Sequence, residues 1–311
     1  MRIEDCSILP PDPAAYDRAI AVFPVDAQEM LRGFRDRRKF CGVVTAEDAS
    51  HIAAQSGWDV RRVMLGLLDL ARLYARPPIS KFCVGAIAQG LSGNLYFGAN
   101  MEFVGEALSF TVHAEQSATA NAWSHGETGL ESLAISAPPC GHCRQFLYEL
   151  TTASTLRILL PDRPQTTLTN LLPDAFEPAD LGVQGGLMSH ENHQLLLPSD
   201  DAVVLAALSA ANMSYAPYSK GYAGVALLAT DGQIYSGPYA ENVAFNPSIS
   251  PMEAALARLN ICGRTYEEIK GAALVEVQDS PCSQSDVTRH LLRSISPVEL
   301  TVAYTELPVV L

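Results

Sequence analysis

Two short stretches hold residue types that could do chemistry. One reads TVHAEQSA over 111–118, with His113 and Glu115 two apart where an apolar pattern gives way to helix formers. The other reads PCGHC over 139–143, with Cys140 and Cys143 at an apparent strand-to-helix junction. Two thiolates and an imidazole suit Zn²⁺, which takes sulfur and nitrogen ligands in a tetrahedron. A helix N-terminus also favours a thiolate through its free N–H groups and its dipole. Three ligands leave the fourth position open, the arrangement of a catalytic rather than a structural zinc. Glu115 projects about 200° round the helix from His113, so the two are not co-ligands on one regular turn. At a helix start it can still reach a water at the open position and move its proton. Each part has a plainer alternative: a redox or core cysteine pair, a surface histidine, a glutamate that only favours the first turn.

Alternating elements must bring these stretches together. Residues 1–76 look helical; Val60, Met64, Leu67, Ala71 and Tyr74 recur at helical spacing, and Pro77-Pro78 stops the run. FCVGAIAQ and NLYFGANMEF, separated by a Ser-Gly turn, predict a β-hairpin. Helix, strand and helix follow over AEQSATANAWSHG, LESLAISA and GHCRQFLYELTT, then a strand in TLRILLPD and a short helix in TTLTNLLP. Strands alternating with helices predict a layered α/β sheet. Such a sheet places the starts of the two candidate helices together at the strands' carboxyl ends. Residues 181–200 mix glycines with polar residues without a period and read as a linker.

The pattern then returns. PISKFCVGAIAQGLSGNLYFGANME (78–102) lies over PYSKGYAGVALLATDGQIYSGPYAE (217–241) at one constant shift, which matches Ser80 to Ser219, Lys81 to Lys220, Gly85 to Gly224, Tyr96 to Tyr235, Gly98 to Gly237 and Glu102 to Glu241. This is an internal repeat. Extended further, it sets His113-Ala-Glu115 against Pro251-Met-Glu253 and Cys140-Gly-His-Cys143 against Cys282-Ser-Gln-Ser285. Two of the three candidate ligands are missing from the second copy on that alignment.

A hydrophobic content of 48% and a charged content of 18% fit a globular chain with a sizeable core. The net charge of −13 argues against a polyanionic partner, so no nucleic acid is expected. The start, MRIEDCSILPPD, does not resemble a signal peptide, and no apolar window approaches the ~18 residues of a membrane span. A cytoplasmic protein without a membrane partner is expected. Seven cysteines with one close pair argue for thiols or a metal site over a disulfide framework.

Together the two stretches form H-x-E…P-C-x-x-C, the pattern of zinc-dependent nucleobase deaminases. ISKFCVGA, GNLYFGANMEF, TVHAEQSA, PPCGHCRQF and LLPDAF resemble cytidine deaminase. With its helical extension and degenerate second copy, the chain resembles the long, dimeric form of that family, from about residue 57 to 260. The resemblance implies a mixed sheet sandwiched by helices, duplicated. It divides the chain into an N-terminal helical extension (1–56), a catalytic zinc domain (57–180), the linker (181–200) and a non-catalytic deaminase-like domain (201–311). It implies one Zn²⁺ per chain on His113, Cys140 and Cys143, with Glu115 shuttling protons. The reaction would be hydrolytic deamination of cytidine and deoxycytidine to uridine and deoxyuridine plus ammonia, in pyrimidine salvage, by a homodimer. By the same resemblance Phe82 lines the base pocket, Asn100 and Glu102 bind the ribose, Phe176 lies near the base, and Phe245 closes the site of the other subunit.

Core packing is the plainer role for Phe82, and a water-facing edge pair for Asn100 and Glu102. Arg144 is expected to donate to a ligating thiolate and offset its charge; His142 and His125 read as surface histidines. Two other functions compete. A polynucleotide deaminase would share the zinc core but needs basic surface that this chain lacks. A purely structural zinc site needs a fourth ligand, for which Cys83 or Cys282 would have to serve.

Overall fold

The computed structural model describes residues 10–36 and 40–308. The helices are α1 (Pro13–Ile20), α2 (Val25–Asp36), α3 (Ala46–Ser56), α4 (Val60–Gly66), α5 (Leu68–Arg72), α6 (Ala114–Ser124), α7 (Gly141–Leu147), α8 (Leu168–Leu171), α9 (Ala202–Met213), α10 (Pro251–Ile261) and α11 (Ser285–Ile295). The strands are β1 (Val43–Val44), β2 (Gly85–Gly90), β3 (Leu95–Ala99), β4 (Leu130–Ile135), β5 (Arg157–Leu159), β6 (Thr166–Thr167), β7 (Ala223–Ala229), β8 (Ile234–Pro238), β9 (Ile269–Val277) and β10 (Leu300–Thr305).

Two mixed sheets result, ordered β1-β3-β2-β4-β5-β6 and β10-β9-β7-β8. The run β3-β2-β4-β5 matches β8-β7-β9-β10: hairpin, antiparallel neighbour, then one parallel pair. The repeat read from the sequence is in register, since Ala88 faces Tyr96 as Leu227 faces Tyr235.

Both faces of the first sheet are buried, and alternation sorts the side chains between them. Ile87, Leu95, Phe97, Ala99 and Ala134 meet the N-terminal helices in one core. Ala86, Ala88, Tyr96, Leu133 and Ile135 face α6 and the second copy in another, which also takes in Val225, Leu227, Leu274 and residues of α10. Gly98 lets α6 sit directly on β3: a Cβ there would lie 2.2 Å from the Ala118 nitrogen.

Several expectations are corrected. The N-terminal region is not all helix: β1 pairs Val43 with Tyr96 and Val44 with Leu95. The 60–76 run is split at Leu67 and its helix ends at Arg72, because residues 73–75 turn inward and bury Leu73, Tyr74 and Ala75. α7 stops at Leu147, five residues before Thr152, where the chain turns to bridge Leu150 to Leu187. Residues 182–200 form no helix or strand, yet Leu187, Met188 and Leu195 are buried. Cys41 and Cys262, 221 positions apart, are joined by a disulfide, a proximity that cysteine spacing could not reveal. Cys6 lies outside the described residues.

Candidate active site

His113 is the N-cap of α6 and Cys140 the N-cap of α7, so both ligand stretches stand at helix starts. The backbone N–H of His113 donates to Gln116 Oε1 at 3.1 Å, which fixes the imidazole's entry to the helix. Cys140 Sγ accepts from the Cys143 amide at 3.5 Å, a cap formed by sulfur. One donor atom each from His113, Cys140 and Cys143 falls within 4.8 Å of the others, the metal-binding cluster found among the described residues. His113 Nδ1 lies 3.6 Å from Cys140 Sγ. Zinc–nitrogen and zinc–sulfur bonds of about 2.1 and 2.3 Å at a tetrahedral angle require an edge of about 3.6 Å. The donor set therefore fits Zn²⁺ in kind and in spacing. Neither Cys83 nor Cys282 joins the cluster.

The electrostatics at Cys140 and Glu115 suit such a site. Hydrogen bonds from Cys143 and then His113 hold the Cys140 thiol down at about 3, so it is a thiolate. The same contact with Cys140 raises His113, and with burial it raises Cys143. Glu115 is buried, and desolvation pushes its carboxyl up. A carboxylate that holds its proton more tightly than usual is suited to passing that proton on.

A cavity of about 270 Å³ opens above these groups, lined by Phe82, Asn100, Glu102, His113, Glu115 and Cys140 with Ser80, Val84, Thr111, Ala114, Ala137 and Pro138. Cys143 is fully buried beneath it. Phe82 is exposed at the cavity rather than packed in the core. Asn100 clasps the loop before β2: its Oδ1 accepts from the Val84 amide at 2.8 Å and its Nδ2 donates to the Phe82 carbonyl at 2.9 Å. Glu102 accepts from the Ile79 and Ser80 amides, both at 2.8 Å, and from the Ser80 hydroxyl. Phe176 and Phe245 are not brought to the cavity lining. Phe176 is half exposed, its carbonyl accepting from Gln145 Nε2 at 2.7 Å. Phe245 is exposed at 64% on a loop that contacts α7.

Two further expectations change. Arg144 does not donate to a thiolate: its Nε and Nη1 donate to the carbonyls of Pro139 and Leu171, bracing the turn before α7. His142 is not a surface histidine: its ring lies 5.5 Å from that of His113, and its Nε2 is 3.2 Å from the Asn246 carbonyl.

The second copy is emptier than the sequence alignment implied. Val112 bridges Met101 as Ile249 bridges Ala240, so His113 corresponds to Ser250. Glu115 then corresponds to Met252, and Glu253 takes the place of Gln116. Cys140, the N-cap of α7, corresponds to Gln284, the N-cap of α11, and Cys143 to Val287. The sequence signal for this register was present: Ser250-Pro-Met-Glu253 is a capping box, with Ser250 Oγ accepting from the Glu253 amide. Ser80 also went unassigned to the site, although the repeated Ser-Lys pair marked it.

Family models agree with this duplicated layout. The cytidine and deoxycytidylate deaminase zinc-binding region matches residues 59–157 and again 168–289. A cytidine deaminase of Photobacterium profundum is 45% identical over 279 residues, 90% of this chain and 95% of that protein. The chain belongs to the cytidine deaminase family. Another cytidine deaminase, from Aeromonas hydrophila, is 51% identical over 257 residues, covering 82% of this chain and 87% of that protein. The crystal structure of cytidine deaminase from Mycobacterium tuberculosis matches 37% of this chain and 95% of its own, at 35% identity and a TM-score of 0.34. The family likeness extends past residue 262, further than the sequence resemblance had reached. No helix among the described residues is long and apolar enough to cross a membrane.

Proposed function

We propose that this chain hydrolyses the exocyclic C–N bond of cytidine and deoxycytidine, releasing ammonia, at a single zinc held by His113, Cys140 and Cys143. The observation that carries the reading is the three-donor cluster with buried Glu115 at the floor of one small cavity. Bound there, zinc supplies Lewis acidity that makes a water ionise near neutral pH. Glu115 would take one proton from the attacking water and pass it to N3 as the water's oxygen adds to C4, then carry that oxygen's second proton to the exocyclic amine, so that the C4–N bond breaks, ammonia leaves and a C4 carbonyl remains. Phe82 lies against the base, and Asn100 and Glu102 face the sugar. Each retains capacity for this: Asn100 has a second Nδ2 hydrogen, and a carboxylate has more lone pairs than Glu102's internal donors use. A carboxylate at the sugar repels a phosphate, which favours nucleosides over nucleotides.

The copy over 57–180 is the catalytic domain, and that over 201–311, with Ser250, Met252 and Gln284 at the decisive positions, is non-catalytic. We assign a homodimer, in which exposed Phe245 and Phe176 close a site of the assembly. We place the protein in the cytoplasm, in pyrimidine salvage. The test is deamination of cytidine, deoxycytidine, CMP and cytosine by the purified chain, with metal analysis. The nucleosides should react with one zinc per chain, and Glu115→Gln should keep the zinc while losing about 10²–10⁴-fold in kcat. Two zincs per chain, or Glu115→Gln with normal turnover, would overturn the assignment.

A further inference from the structure

Six residues beyond Cys143, in the turn that follows α7, Glu149 is fully buried. Among the described residues no cation pairs with its carboxylate. Its Oε1 accepts from the hydroxyls of Tyr215 at 2.8 Å and Tyr218 at 2.6 Å, and its Oε2 accepts from the Val243 amide at 2.8 Å. All three donors belong to the second copy. Two contacts join α7 itself to that copy: Asn242 Nδ2 donates to the Gln145 carbonyl at 3.0 Å, and His142 meets the Asn246 carbonyl. Residues 142 and 145 lie about one turn apart on α7, and the turn that bears Glu149 is tied to the end of that helix, the Glu149 amide donating to the Phe146 carbonyl at 3.2 Å.

The loop that seizes Glu149 has a counterpart at the active site. Residues 215–220 repeat 76–81, with Lys81 and Lys220 both at positive φ. Glu241 clasps Tyr218, Ser219 and the Ser219 hydroxyl as Glu102 clasps Ile79, Ser80 and the Ser80 hydroxyl. In the first copy this loop rims the cavity. In the second, Tyr218 replaces Ile79 and reaches the turn that ends the helix opened by the two cysteines.

We propose that Glu149 is a positioning residue for the metal site, through which the second copy sets the rotation and height of α7 and hence the placing of Cys140 and Cys143. This rests on the zinc reading above. Three directional hydrogen bonds on one rigid carboxylate fix a helix more tightly than apolar contact of the same area would. Gln has the same volume and still offers one oxygen to the tyrosines, but its amide hydrogens then face the Val243 N–H, donor against donor.

The experiment compares the wild-type chain with Glu149→Gln, Tyr218→Phe and, as a stability control, Val204→Ala, a buried position in α9 away from both. Zinc release to a chromogenic chelator, kcat, KM for cytidine and Tm are measured. Glu149→Gln should release zinc about tenfold faster and lose about tenfold in kcat, as outer-shell changes do. KM should stay within about twofold, because Phe82, Asn100 and Glu102 lie on other elements. Tyr218→Phe should move both readouts the same way by a smaller factor, and it decides the matter if Glu149→Gln does not fold. Wild-type release and turnover in a folded variant would overturn the proposal. So would equal acceleration of zinc release in Val204→Ala at a matched loss of Tm, since Glu149 would then be merely structural. A wild-type chain that holds no zinc would instead sink the reading beneath it.

Discussion

Replacing Gly98 with alanine should disable the site without touching a residue that meets substrate. Gly98 lies on β3 under α6, and a Cβ there would stand 2.2 Å from Ala118 N and 2.4 Å from Ala114 O. Those two atoms are partners in one helical hydrogen bond, so no side chain can rotate away. An ordinary contact begins near 3.4 Å, so the helix must retreat from the strand by roughly 1 Å. His113 and Glu115 sit on the first turn of that helix and must move with it. A misplacement of about 1 Å can cost 10²-fold in rate, equivalent to about 2.7 kcal/mol in the barrier. Overpacking should also cost about 1–3 kcal/mol of stability.

Gly237 supplies the control, because its added Cβ would meet Ala255 N at 2.2 Å and Pro251 O at 2.5 Å in the second copy. The two substitutions should lower Tm alike. Gly98→Ala should lose about 10²-fold in kcat/KM and bind zinc less tightly, while Gly237→Ala, which moves α10, should lose less than about tenfold. Deamination is followed by the fall in ultraviolet absorbance, with zinc content and Tm alongside. Wild-type turnover in Gly98→Ala, or equal losses in the two variants, would refute the argument that α6 is set by its seat on β3.

Other outcomes follow from the paired copies. Glu102→Gln removes one acceptor from the Ile79–Ser80 clasp and should both lower Tm and raise KM, whereas Glu241→Gln should lower Tm and leave KM within about twofold. Burial raises the Glu253 carboxyl from 4.5 to about 7. The folded state thus keeps its proton where the unfolded chain has lost it, and stability falls as pH climbs from about 4.5 to about 7. Glu253→Gln still accepts from the Ser250 amide, as Gln116 does from His113, and sheds the buried charge. Its Tm should exceed that of the wild type at pH 8, by up to about 3 kcal/mol of stability, and converge on it at pH 5; an equal difference at both would refute the assignment.

What could be read from the sequence is what local physics dictates. The hairpins were legible because alternation and turn residues act over a few positions, and the repeat because Gly98 and Gly237 share one steric duty. The cluster of His113, Cys140 and Cys143 was legible because H-x-E and P-C-x-x-C together are far more specific than either alone. β1 was not, since two residues carry no period. The Cys41–Cys262 link and the buried Glu149 were not, because each depends on partners 60 or more positions away. The second-copy register slipped because the shift of 139 residues at Gly98 and Gly237 shrinks to 137 at His113 and Ser250, and only the helix cap reveals where.

The two copies divide labour along that slip. Much of the scaffold is present twice: the serine–glutamate clasp, the left-handed lysine, the glycine seat for a helix, the parallel strand pair. Everything that would hold a metal is present once. The second copy nevertheless meets the first beside the cavity, gripping the turn after α7 through Glu149 and meeting the 103–111 loop where His290 pairs with Glu106 at 2.7 Å. Directional donors presented to the turn that ends α7 are what distinguish this contact from apolar bulk. On the proposal above, the second copy acts on the metal site from behind, through these hydrogen bonds, rather than from within it.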